Sequence, residues 1–187
     1  TYMKSKLFTF LTFLLFLNIQ TDAEEYDHPA ILSFESGIEP AIAGENSVLS
    51  VSGEHFKHKN KSLRWVWTSS GSHWSIRQPV PYKIKKTSDN GVSTFIFWIY
   101  SAKALKNGTV KVEFLKNGKV CSFFYYGINF TGWRGAWIAF DRDMQGTPQE
   151  GMDEMRVTAL GCEQGELYFD HIILATDEDS RQHTADL

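Results

Sequence analysis

Six histidines, at positions 28, 55, 58, 73, 171 and 183, two cysteines and six tryptophans are the residues of this chain whose types could do chemistry. Nucleophilic hydrolysis would call for a G-x-S-x-G turn, zinc hydrolysis for an H-E-x-x-H helix and phosphoryl transfer for a glycine-rich phosphate loop; none of the three occurs. The histidines show no ligand spacing and read as surface or hydrogen-bonded polar residues. Asp141-Arg142-Asp143 could hold a cation, but on a β-turn such a triplet is more often a solvated charge cluster. No residue is given a catalytic role. Cys121 and Cys162 could form a disulfide in an oxidising compartment or stay as two buried thiols. Spacing does not choose between these, since a bridge needs Cα atoms ~4.4–6.8 Å apart, which is a property of the fold.

The tryptophans say more. Trp74 follows Ser69-Ser-Gly-Ser-His73 in what reads as a polar loop. An exposed indole beside hydroxyls is how a protein stacks on the apolar face of a sugar ring, so Trp74 is the candidate carbohydrate contact. Basic clusters nearby, Lys57/Lys59/Lys61 and Lys83/Lys85/Lys86, could meet sulfates or carboxylates, although lysines at strand edges also serve to block edge pairing. Trp65, Trp67, Trp98, Trp133 and Trp137 lie in apolar segments and are expected in the core.

The elements that must position these residues are strands. Leu49/Val51, Val110/Val112/Phe114 and Met155/Val157/Ala159 alternate with polar neighbours at period two, which predicts half-buried strands. Denser segments, 62–68, 93–100, 119–126, 132–140 and 166–175, are aromatic and β-branched and read as inner strands. Asn117-Gly118 supplies the positive φ angles of a type I′ hairpin turn, and Asn90-Gly91 and Asn107-Gly108 precede further strands. Helical spacing is nowhere sustained. Some nine short strands without intervening helices predict an all-β, antiparallel two-sheet β-sandwich, a jelly roll.

Composition is consistent with this. With 187 residues, 42% hydrophobic, 14% aromatic and 22% charged, the chain can bury one core, which excludes disorder, coiled coil and collagen. A net charge of −3 argues against a general nucleic-acid binder. Lys4 and Lys6, the apolar run from Leu7 to Leu17 and the small residues Thr21 and Ala23 read as a signal peptide over 1–23. Eleven residues rise only ~16 Å as a helix, too short for a membrane anchor. Export is therefore expected, to the medium or, in a bacterium, to the periplasm, with an arm at 24–29, the sandwich at 30–176, and the start of a linker at 177–187. The Asn-X-Ser/Thr triplets at Asn60, Asn107 and Asn129 are frequent by chance, would mean nothing in a bacterial protein, and are set aside.

Four segments taken in order, Ser62-Leu-Arg-Trp-Val-Trp67, Phe95-Ile-Phe-Trp-Ile-Tyr100, Asn129-Phe-Thr-Gly-Trp-Arg134 and Gly165-Glu-Leu-Tyr-Phe-Asp170, resemble the N-terminal domain of chondroitin sulfate ABC lyases. The resemblance covers nearly all of residues 30–180. It implies a galactose-binding-like jelly roll similar to carbohydrate-binding modules, set ahead of catalytic domains in the same polypeptide that carry the eliminative chemistry. It also implies a structural cation, Ca²⁺ or Na⁺, held by the Ser33 carbonyl, Glu35, the carbonyls of Lys61 and Arg64, and Asp170; hard oxygen donors suit either ion. Without the resemblance, Glu35 and Asp170 are ordinary strand carboxylates. The expected function is non-catalytic, weak binding and positioning of chondroitin or dermatan sulfate. The alternative is a purely structural sandwich that packs on the catalytic domain and touches no sugar.

Overall fold

Period-two alternation becomes strand wherever it was readable, and the strands assemble into two antiparallel sheets. The computed structural model describes residues 31–38, 40–84 and 93–175. The signal-peptide, arm and linker expectations, the Asn90-Gly91 turn, Lys85, Lys86, His28 and His183 lie outside the described residues.

The strands are β1 (Ile31–Leu32), β2 (Ala41–Ala43), β3 (Ser47–Ser52), β4 (Ser62–Trp67), β5 (His73–Arg77), β6 (Thr94–Ser101), β7 (Thr109–Lys116), β8 (Lys119–Gly127), β9 (Gly132–Ala139), β10 (Gln145–Gly146), β11 (Glu154–Leu160) and β12 (Gly165–Ala175). Among the described residues a single four-residue helix, α1 (Phe140–Asp143), interrupts them. The first sheet runs β3-β4-β12-β6-β9, with β1 pairing β12 beyond the end of β4; the second runs β10-β8-β7-β11-β5-β2. The sandwich expected from the sequence is the fold observed. Among the described residues no helix is long and apolar enough to cross a membrane.

Alternation places Leu63, Trp65, Trp67, Phe97, Leu167 and Phe169 of the first sheet against Trp74, Ile76, Val112, Phe114, Phe124 and Val157 of the second, all buried in one cluster. At ~1.5–3 kcal/mol per large apolar side chain, this layer holds the sheets together. The indole N–H of Trp65 donates to Ser47 Oγ at 3.1 Å. At the β7–β8 hairpin Asn117 and Gly118 both have positive φ, 50° and 75°, as a type I′ turn requires.

At the level of fold one open choice is decided and one expectation is corrected. Cys121 and Cys162 are free thiols. Cys121 sits beside the turn end of β7, where Phe114 pairs Ser122 and Leu115 pairs Val120, whereas Leu160, just before Cys162, pairs Thr109 at the other end. Six residues of extended chain, ~20 Å, separate those ends, too far for a disulfide. Asp141-Arg142-Asp143 lies on α1 rather than on a β-turn. Its charges are used internally: Arg142 donates to both oxygens of Asp143 at 2.7 Å, and Asp141 accepts the Tyr82 hydroxyl at 2.7 Å.

Candidate functional site

Trp74 is not a surface residue. Its segment forms β5, where it pairs Val157 of β11 and Ala43 of β2, and this register turns the indole inward. The ring is fully buried at 0% exposure, edge-on to Phe169 at 5.1 Å and to Trp65 at 6.5 Å. A sugar cannot reach it. The Ser/Gly run is a loop, but it ends at Ser72 and the strand begins at His73, before Trp74.

Glu35 and Asp170, expected as cation ligands, do converge on one segment. Asp170, fully buried on β12, accepts the backbone N–H of Lys57 at 2.6 Å and His58 at 2.7 Å on one oxygen, and that of His171 at 2.7 Å on the other. Glu35 Oε1 accepts from the N–H of Asn60 at 2.9 Å and Lys61 at 2.7 Å. The Lys61 ammonium donates to the Glu35 carbonyl at 2.9 Å. The loop joining β3 to β4 is thus pinned from both ends by carboxylates of other elements. Burial pushes the Asp170 carboxyl above its ordinary range, opposed by the N–H groups of His58, Lys57 and His171. Arg64 lies mid-strand, paired with Ser50 and Tyr168, and its side chain forks onto Glu166 at 3.0 and 3.1 Å. The donor chemistry of two carboxylates next to backbone carbonyls is that of a hard cation site, but five backbone N–H groups already hold these carboxylates. Among the described residues, no three histidine, cysteine, aspartate or glutamate side chains cluster as a metal site.

The start of the pinned loop brings Glu54 and His55 against Tyr100, Tyr168, Arg64 and Glu166 on the outer face of the first sheet, types that could abstract a proton. Tyr168 and Tyr100 bracket His55, which stacks on Tyr100 at 3.9 Å and meets Tyr168 edge-on at 4.8 Å. The Tyr168 hydroxyl donates to Glu166 at 2.5 Å, with Glu54 at 3.2 Å. Burial and this hydrogen bond push the phenol far above its ordinary range. A phenol that holds its proton between carboxylates is a tether, not a base. Farther along the same face Trp98, Trp133 and Trp137, expected in the core, are half-buried and point outward. The Lys57 ammonium lies 4.1 Å over Trp98. Gly135 between them is required, because a Cβ there would meet Trp137 at 2.8 Å and Trp98 at 3.2 Å.

The outer face of the second sheet is built differently. Strand register aligns two cross-strand rows: His73, Thr158, Lys111, Tyr125, and below it Ser75, Arg156, Glu113, Phe123. Arg77 and Glu154 pair in the next row. Four strands at their usual spacing span ~14 Å, room for a short oligosaccharide laid across them. Tyr125 is 51% exposed and stands edge-on to Phe123 at 5.7 Å. The Lys111 ammonium sits 4.4 Å over Phe123 and 6.0 Å from Tyr125, and bonds Glu113 at 2.6 Å. Arg156 Nη2 donates to Glu154 Oε1 at 2.8 Å, while Arg77 lies 3.7 Å from the other oxygen. At the Arg77 end the face opens into a depression of about 460 Å³ bordered by Gln78, Pro79, Gly118, Asp153 and Glu154. Aromatic planes at one edge, hydroxyls and cations across the middle and open solvent above can stack a pyranose and hydrogen-bond its substituents. None of these residues was singled out from the sequence. The available signal was the Lys111/Glu113 alternation, whose outward face names the outward face of any strand paired to it.

Residues 28–187 match the family model described as "Lyase, N terminal". The chain is 42% identical over 175 residues to the chondroitin sulfate ABC exolyase of Bacteroides thetaiotaomicron, covering 92% of this chain and 17% of that protein. It is 34% identical over 136 residues to the Proteus vulgaris chondroitin sulfate ABC exolyase, covering 73% and 13%. The chain thus spans less than a fifth of the length of these relatives. Among solved structures it is similar to a family 11 carbohydrate-binding module from Clostridium thermocellum bound to a β-1,3-1,4-mixed-linked tetrasaccharide. The TM-score is 0.52 at 16% identity, over 80% of this chain and 96% of that one, a likeness of fold.

Proposed function

The chain belongs to the lyase N-terminal family, and from that premise we propose that it binds and positions a chondroitin- or dermatan-type glycosaminoglycan without chemistry of its own. The observation that carries the reading is the outer face of the second sheet, where exposed Tyr125 and half-buried Phe123 flank Lys111, with Arg156 in the cross-strand row of Phe123. Apolar planes beside cations match a polymer whose rings have an apolar face and whose substituents are carboxylates and sulfates. The non-catalytic part of the reading is supported by Tyr168, whose proton is held by Glu166. Binding is weak, roughly micromolar to millimolar, since stacking and partly screened ion pairs each add about 1 kcal/mol while ordering a flexible glycan costs a comparable amount. Titration with chondroitin sulfate hexasaccharide tests it: Tyr125→Ala weakens binding with the fold intact, and equal binding by wild type and variant contradicts it.

A second reading, packing against catalytic domains of the same polypeptide, is favoured by half-buried Trp98, Trp133 and Trp137 on the opposite face. The two readings use different faces and are compatible. A Ca²⁺ or Na⁺ ion is proposed at the pinned loop, held by Glu35 and Asp170 with the carbonyls of Ser33, Lys61 and Arg64. When bound it would supply charge neutralisation and loop stability, and no chemistry at the sugar. Export into the periplasm or medium is likewise part of the proposal.

A further inference from the structure

The cations of the sugar-facing sheet are not free. Lys111 bonds Glu113 at 2.6 Å, and Glu154 stands between Arg156 at 2.8 Å and Arg77 at 3.7 Å. Both glutamates are buried, each at 8% exposure, whereas Arg77 retains 69% of its side-chain surface. The carboxylates thus form a floor from which the cations rise. Their arrangement is incomplete, because Arg156 Nε is buried without a hydrogen-bond partner. A guanidinium held by one carboxylate with an unsatisfied N–H has a reason to turn toward a second acceptor.

We infer that Glu113 and Glu154 are internal stand-ins for the anions of the bound glycan, and that they set the charge selectivity of this face. The inference rests on the proposed sugar-binding function and adds a specificity mechanism to it. In the free protein the two carboxylates offset two of the three cations, which leaves little net field to attract polyanions indiscriminately. A sugar carboxylate or sulfate gains Lys111 or Arg156 only by sharing it with the glutamate beneath. That exchange is favourable when the aromatic edge has already seated the ring, so stacking decides which anion is accepted. No covalent step or proton transfer is involved. The glutamates oppose binding of the ligand that the face accepts.

The prediction is counterintuitive for residues in a binding face: Glu113→Gln or Glu154→Gln tightens binding. Gln keeps the shape and removes the charge, so affinity for chondroitin sulfate hexasaccharide rises by roughly three- to fivefold. The affinity also falls more steeply with added salt, a readout that a purely structural role would not move. In a Lys111→Met background, Glu113→Gln loses its effect, because the cation it competes for is gone. Wild type that binds, with both Gln variants binding more tightly, supports the inference; so does wild type too weak to measure with variants that bind. Wild type that binds, with neither Gln variant gaining affinity or salt sensitivity, overturns the inference and leaves the sugar-binding reading standing. No binding by wild type or either folded Gln variant overturns both.

Discussion

The two outer faces of this sandwich are made by the same alternation, yet one is partly closed by a loop and the other is open above a floor of buried Ser75, Glu113 and Glu154. On the first sheet the outward residues include Tyr168 and Asp170, buried where the β3–β4 loop lies over the face and is pinned by Glu35 and Asp170, and Ile96, buried against Ile173 and Trp137. On the second sheet the outward residues include Tyr125 and Arg77, which stay in solvent. Outward is therefore not the same as exposed. The proposed functions separate accordingly, with stability concentrated where backbone N–H groups meet buried carboxylates and the proposed recognition where aromatics and ion pairs meet water.

The largest way to break this comparison is Asp170→Ala. It orphans three backbone N–H groups at a buried position and is expected to cost ~3 kcal/mol or more, read as a urea-midpoint shift. On the open face Arg156→Ala should cost no more than ~1 kcal/mol. Equal losses would mean the closed face is not where stability resides. Next in size is the proposed ion. At ~100 times its dissociation constant a bound cation adds ~2.7 kcal/mol, and each kcal/mol moves the melting temperature of a domain this size by ~2–4 °C. Excess chelator should lower the melting temperature by several degrees for Ca²⁺, and Asp170→Ala should abolish that response; an unchanged curve leaves Na⁺ or the five N–H groups alone.

Smaller again is Tyr125→Ala, expected to weaken glycan binding by roughly tenfold, from the loss of ~1–2 kcal/mol of stacking, with the melting temperature nearly unchanged. Trp74→Ala sharpens the contrast. It should lower stability by ~3–5 kcal/mol as a core cavity and should affect binding only through unfolding. The smallest effect is one of pH. The Arg142 hydrogen bond, with the Ala139 N–H and against partial burial, holds the Asp143 carboxyl below its ordinary range. Its contribution is fully present above the unfolded carboxyl value and is lost as pH falls through the depressed folded one. Asp143→Asn should therefore flatten the acid limb of the stability curve by less than ~1 kcal/mol, since the pair is partly exposed.

Much of the fold was legible because period two and the Asn117-Gly118 turn are local signals. The proposed recognition face was not, and the reason is one residue in β7–β8. Lys116 pairs Lys119 and Leu115 pairs Val120, a register that, continued, would set Phe124 opposite Lys111. A register shift between Phe114 and Leu115 instead brings Tyr125 opposite Lys111 and Phe123 opposite Glu113. A single-residue shift flips every side chain beyond it, so which aromatics of Phe123-Phe-Tyr-Tyr126 face solvent is decided by a bulge with no sequence signature. Trp74 failed for a related reason: a polar run preceding a strand was extended one residue too far into it. Trp98, Trp133 and Trp137 failed because β6 is apolar on both faces, and in β9 the charged Arg134 stands on the face opposite the tryptophans, which makes periodicity name the wrong side. The convergence of Glu35 and Asp170 came from resemblance, since 135 positions separate them in the chain and no local pattern joins them.

The most direct test of the central claim is an amide and aromatic NMR titration of the folded domain with chondroitin sulfate hexasaccharide at low salt. The account predicts perturbations concentrated at Lys111, Glu113, Phe123, Tyr125 and Arg156, weakening as salt rises. Perturbations confined to Trp98, Trp133 and Trp137, or none at millimolar hexasaccharide, would contradict it.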